Sequence, residues 1–406
     1  VSGIIVLAVA YVISHFYRSF LAVLSPQLTQ ELNLGPAVLS DALGAWFATF
    51  AISQLLVGVL LDRVGPRWTT VSLFAVCGAG GGALFAIAQS GTMVFAAMIL
   101  LGVGCAPILM ASVYLFKLRY DGRQFATLTS TFMAIGLLGN ILGSSPLAWA
   151  TEAYGWRAVM AGLAVITLIL ALLIAVLVKD PARSETVSTQ KGSYLEILKM
   201  RELWFILPLI FVNYGVVGGL RGLWAGPYLD IVHGLGVAEI GSIIFFMAVA
   251  MVVGSFAYGP ADRVFNSRKW VAFCGSCVTF VCLGYWAFNP ILPPVTLAIL
   301  LVAIGFFSLC YAVLMAHATA NIPQHMAGRG VTLVNFFNMG GVGVLQWTSS
   351  QVYREQENPE IPVAGFEGVL WLYFILFVIA LAIYAFSRDV RPDATSDRSA
   401  KAKAAS

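Results

Sequence analysis

Apolar residues run along this chain in blocks of roughly twenty, the length a helix needs to cross a bilayer, and short polar stretches separate the blocks. Twelve helical spans are predicted, near residues 4–29, 38–61, 68–88, 93–116, 124–149, 157–178, 203–229, 238–261, 269–288, 294–320, 329–352 and 368–386. No alternation of the barrel type interrupts them, so a bundle of helices is the arrangement that satisfies the backbone in lipid. The first block lacks a basic leader and carries Arg18 at its centre, which reads as a span and not as a cleavable signal.

Composition agrees: 60% of the 406 residues are hydrophobic and 10% are charged. The chain is expected to be an all-α integral membrane protein. Of its 23 lysines and arginines, nineteen fall in loops on one side, and only Arg157 and Arg354 lie on the other. That bias places both termini in the cytoplasm of a cell (inner) membrane. The remaining two, Arg18 and Arg221, lie inside spans, whereas all nineteen Asp and Glu residues fall in loops or at helix ends. The interior thus holds two fixed positive charges and no fixed negative one.

Other chemistries find little support. The six cysteines sit in apolar segments, and the pair Cys274 and Cys277 has no second ligand pair nearby, so packing is expected and no metal. Gly78 and Gly80 to Gly82 are intramembrane and follow no strand, which suits helix packing and not a nucleotide loop. Gly136, Gly139 and Gly143 read the same way. No cofactor, nucleic acid or enzymatic activity is expected; the partners implied are the lipid bilayer and a small molecule, and the protein is expected to be a monomer.

Residues 58–68, GVLLDRVGPRW, join the second and third spans. With Gly58, Asp62, Arg63, Gly65 and Arg67 in place, this loop resembles the G-x-x-x-D-R-x-G-x-R signature of the major facilitator superfamily. Its physical logic is a glycine for close helix approach and a carboxylate favoured by a helix N-terminus. The loop recurs at residues 258–270, where Asp262 and Arg263 match Asp62 and Arg63, and Gly122 with Arg123 recurs as Gly328 with Arg329. Two six-helix halves follow, 1–178 and 203–387, joined by a polar linker, 179–202, with a Ser193 to Glu196 capping box, and trailed by a disordered tail, 388–406. The resemblance implies alternating access between pseudo-symmetric halves, gated by these loops, with the first and seventh spans lining the path.

Those two spans carry the buried arginines. A guanidinium at that depth costs at least about 2.5 to 3.5 kcal/mol and is normally retained facing a cavity. Arg18 precedes Pro26 by eight residues and Arg221 precedes Pro227 by six, which sets them at matched depth. Tyr11, Ser14 and His15 share the face of Arg18; Tyr214 shares that of Arg221, and Trp224 lies one turn beyond. Tyr11, His15, Tyr214 and Trp224 are thus candidates to line the substrate site, with packing as interfacial aromatics the alternative for Tyr214 and Trp224. The pair resembles the organophosphate:phosphate antiporters and, more loosely, the anion:cation symporters, which implies that Arg18 and Arg221 bind substrate, with Tyr11 supplying a hydroxyl. Ser19 stands where the antiporters often carry lysine, and the fifth span has no histidine, so a carboxylate is as admissible as a phosphate ester. Paired guanidiniums bind either with parallel hydrogen bonds. Candidate proton carriers are His15 and His317. Asn321, Asn335 and Asn338 suit interhelical hydrogen bonding or a cavity wall.

The expected function is secondary transport of a small organic anion held between Arg18 and Arg221. Alternatives are a multidrug or metabolite exporter, or a carrier of zwitterionic peptides or anionic metal chelates.

Overall fold

A computed structural model describes residues 2–120, 122–180, 194–323 and 326–391, with the backbone alone at 62, 117, 118, 122, 123, 125–127, 130, 327 and 328. Among these residues the chain is helical throughout, without a strand. Among the described residues nine helices are long and apolar enough to span a membrane, and two bent pairs, Ser2–Phe16 with Leu21–Leu32 and Thr131–Leu142 with Ser145–Tyr154, each make one more. The thirty-residue Ala327–Gln356 stands where the eleventh span is predicted. Asn335, Asn338, Gln346 and Gln351 make it the most polar of the long helices. Ser193 of the capping box and the tail beyond Arg391 lie outside the described residues, and Tyr194–Leu198 is a short helix.

The bends have local chemical causes. In the first span Ser19 Oγ donates to the carbonyls of His15 and Phe16 at 3.3 and 3.2 Å, competing with the regular ladder. The backbone there tightens to three-residue spacing, Arg18 N–H to His15 O and Ser19 N–H to Phe16 O, and the axis turns by 50°. In the fifth span Pro146 lacks the N–H that would continue the ladder, Ser144 Oγ bonds the Ile141 carbonyl, and the axis turns by 43°. The seventh span passes through a π-helical turn, Leu220–Trp224, just before Pro227.

One face of the bundle carries both described chain ends and the loops rich in arginine; we call it the basic face. Here the third span starts at Pro66 after Gly65, whose φ of +99° favours glycine. The carboxylate that serves its N-terminus is Asp180, which accepts the Arg67 backbone N–H at 2.8 Å. Asp62 was expected in that role, but its backbone lies in the last turn of Pro36–Arg63, where the dipole disfavours a negative charge. Gly58 has no neighbour crowding it, so close helix approach does not explain it in this conformation.

The second half repeats the cap. Asp389, just past the twelfth span, accepts from Ser267 Oγ at 2.7 Å and from the Lys269 backbone N–H at 3.0 Å. Partial burial would raise its carboxyl, but those bonds, with His317 and the Arg268 backbone N–H nearby, hold it below the ordinary carboxylate range.

Several contacts that join the halves lie toward the opposite face. Arg354 donates to Asp41 at 2.5 Å and Ser350 Oγ bonds the same carboxylate, tying the eleventh span to the second. One turn deeper Ser40 Oγ donates to Gln346 Oε1 at 2.5 Å. Gly226 packs on the Ala22 carbonyl and Gly241 on Ala148, bringing the seventh span onto the first and the eighth onto the fifth. In a background without the native cysteines, Asp41→Asn or Arg354→Gln should raise labelling of Ala42→Cys by an impermeant thiol reagent roughly two- to fivefold, the range of a half-exposed ion pair. Reversing both charges should return labelling to the starting level.

Candidate functional site

Arg18 and Arg221 are 3% and 1% exposed and lie within electrostatic reach of each other. Both sit on irregular backbone, Arg18 in the break of the first span and Arg221 in the π-helical turn. The spans cross at this level, since a Cβ added to Gly222 would meet the Arg18 carbonyl at 3.1 Å. On the other side of the first span, Gly139 of the fifth packs against Val12, His15 and Phe16 so closely that no side chain fits.

Each guanidinium has a neutral setting. Arg18 lies over the rings of Trp46 and Phe50, with its central carbon 5.4 and 4.8 Å from their centroids, and donates a long bond, 3.4 Å, to Ser14 Oγ. The two rings stack at 5.0 Å and present a π surface that attracts a cation by about 0.5 to 2 kcal/mol without neutralising it. Arg221 Nη1 donates to Asn140 Oδ1 at 2.8 Å. Among the described residues no carboxylate pairs with either one, and both Nε atoms are buried without a protein acceptor.

Tyr11, His15 and Tyr214 join them. Tyr11 stacks on Phe132 at 5.0 Å and meets the edge of His15 at 4.7 Å. Neither nitrogen of His15 has a hydrogen-bond partner, although the imidazole lies beside Asn140 and both arginines. Tyr214 packs against Tyr311 at 5.1 Å, and Tyr311 also lies within electrostatic reach of Tyr11 and Arg18. Two guanidiniums, an imidazole and three phenols thus converge without an acid among them, an arrangement that can hold an anion.

A family model described as the Major Facilitator Superfamily matches residues 7–345. The chain belongs to that superfamily. It is a multi-pass membrane transporter and not an enzyme. It is 21% identical to a galacturonate transporter of Dickeya chrysanthemi, over 77% of this chain and 92% of that protein. It is 25% identical to a hexuronate transporter of Bacillus subtilis (strain 168), over 69% of each. Among solved structures it resembles a bacterial homologue of the human lysosomal transporter Spinster, inward-facing and occupied, with a TM-score of 0.74, 18% identity and coverage of 95% of this chain and 96% of that one.

Not every expected residue reaches the centre of this major facilitator transporter. Trp224, expected on the cavity wall, donates to Ser349 Oγ at 3.1 Å and packs on Tyr353 and Phe366, wedged against the eleventh and twelfth spans. His317, expected as a second proton carrier, has both ring nitrogens engaged near the basic face, by Tyr384 Oη and the Arg388 carbonyl, each at 2.8 Å. Asn335 donates across the halves to Gln54 at 2.8 Å. On the basic face Asp262 pairs with Arg268 at 3.2 Å, Arg67 lies over Trp68 at 4.8 Å, and Arg63 and Arg263 are exposed. The side chains of Asp62 and Arg123 lie outside the described residues; Arg329 opens the eleventh span, half-buried.

Sequence reasoning missed Trp46, Phe50, Asn140 and Tyr311. The first two carried a signal, an i, i+4 aromatic pair in the second span. Trp46→Phe keeps an aromatic face and should preserve binding of a carboxylate ligand, whereas Trp46→Leu should weaken it by roughly 3- to 30-fold in calorimetry. Trp224→Phe should lower the melting temperature by a few degrees through the lost Ser349 bond and leave that affinity unchanged.

Proposed function

We propose that this protein is a secondary active transporter of small organic anions, chiefly polyhydroxylated carboxylates, held between Arg18 and Arg221 during alternating access. One observation carries the reading: two buried guanidiniums meet at the interface of the halves, and no carboxylate among the described residues pairs with them. A carboxylate ligand supplies what the site lacks, two acceptor oxygens and a negative charge, in the geometry a guanidinium fork matches. The relatives named for galacturonate and hexuronate, both sugar acids, favour carboxylates over phosphate esters. The tyrosines and Asn140 suit the hydroxyls of such a molecule.

Within this reading the basic face is cytoplasmic, in an inner membrane, and 1–178 and 203–387 are the two moving bundles. The ion pair of Asp41 and Arg354 closes the outer side, and the Asp62 and Asp262 loops act on the inner one. An anion drawn to both arginines pulls the halves together and thereby favours the occluded state. Where transport is coupled to a proton, His15 is its carrier, because both its ring nitrogens are left without a hydrogen-bond partner beside the two arginines.

A thermal-shift panel on purified protein tests this. Galacturonate and related sugar acids should raise the melting temperature, by the equivalent of about 2.7 kcal/mol at a hundred times Kd, and neutral sugars and lipophilic cations should not. Arg18→Lys and Arg221→Lys, which keep the charge but lose the planar fork, should each weaken binding about tenfold or more. Stabilisation by cations or neutral sugars alone would overturn the reading.

A further inference from the structure

Arg221 belongs to the second half, and the side chain that receives it, Asn140, belongs to the first. Asn140 is 2% exposed and sits in the short helix Leu138–Leu142, on the broken part of the fifth span. Its position is fixed from both sides. Gly139 and Gly136 hold this stretch against the first span, and His15 lies beside the carboxamide. The bond to Arg221, 2.8 Å, is the one hydrogen bond described for that guanidinium.

The chemistry of that partner matters. A carboxamide oxygen satisfies one N–H of a guanidinium and leaves its charge in place. A carboxylate of the same shape would satisfy the donor and cancel the charge. Among the described residues the other groups near Arg221 and Arg18 carry no acid either: the tyrosines 11, 214 and 311, Ser14, Cys105, Trp46 and Phe50, with the imidazole of His15 beside both arginines. At position 140, one side-chain atom separates a site that needs an anion from one that carries its own.

We propose that Asn140 is a specificity-determining residue: a neutral placeholder that positions the Arg221 fork across the interface while leaving its charge for the substrate. This rests on the anion reading above. It also gives an order of effects that a purely structural hydrogen bond would not. If Asn140 only supplied an acceptor, Asn140→Asp would retain it and bind better than Asn140→Ala. As a placeholder, the aspartate competes with the substrate and is the worse of the two.

The test measures galacturonate affinity of the full-length purified protein by calorimetry, with each variant's melting temperature recorded without ligand. Asn140→Ala should bind several-fold more weakly than the parent, and Asn140→Asp about tenfold more weakly still, at a melting temperature no lower than that of Asn140→Ala. Asn140→Glu, which brings the same charge from the same turn, takes its place if the aspartate variant does not fold. An acidic variant that binds galacturonate as well as Asn140→Ala, or better, overturns the proposal while the anion reading stands. Failure of the parent to bind any carboxylate or phosphate ester overturns both.

Discussion

Two like charges buried close together, with no opposite charge among the described residues to settle them, set the terms for the centre of this molecule. Removing a guanidinium from water is costly, and a nearby acid is the usual remedy. Here the remedy is milder. Arg18 rests on the faces of Trp46 and Phe50, and Arg221 is taken by the amide of Asn140. Both settings hold the cations in place and leave them cationic. The helix breaks belong to the same solution, since the first and seventh spans are irregular where their arginines sit, and irregular backbone at membrane depth is tolerated where protein surrounds it.

Much of this was legible in the amino-acid order, and the part that was not has a common cause. Hydropathy marks the spans because lipid imposes one length on all of them, and the paired arginines stand out because charge is so rare there. Neutral partners leave no such mark. Trp46 and Phe50 lie on a different span from Arg18, and Asn140 lies 81 positions from Arg221, so only the folded bundle reveals their contact. Spacing along one helix shows which residues share a face but not what that face meets. Hence Trp224, one turn from Arg221, proved to pack on Tyr353 and Phe366, and His317 proved to be occupied by Tyr384 and Arg388. The carboxylate at the start of the third span was misassigned for the same reason, because Asp180 arrives from 113 residues away.

Superfamily membership fixes the scaffold and leaves the cargo to a handful of side chains. At 18% identity a solved Spinster homologue shares the fold of this chain, so the fold by itself does not name the cargo. A single acid among Tyr11, Asn140, Tyr214 and Tyr311 would cancel one of the two guanidinium charges and weaken the pull on an anion.

The matched caps at Asp180 and Asp389 bear on where the molecule can bend. Each ties the end of a half's last helix to the start of its third, so the two ends are held together at the basic face. In the proposed transport cycle the breaks in the first and seventh spans are joints for rocking, and they lie where the arginines do. On that reading the hinge and the cargo berth are one piece of machinery, and whatever settles between the guanidiniums also grips the pivot.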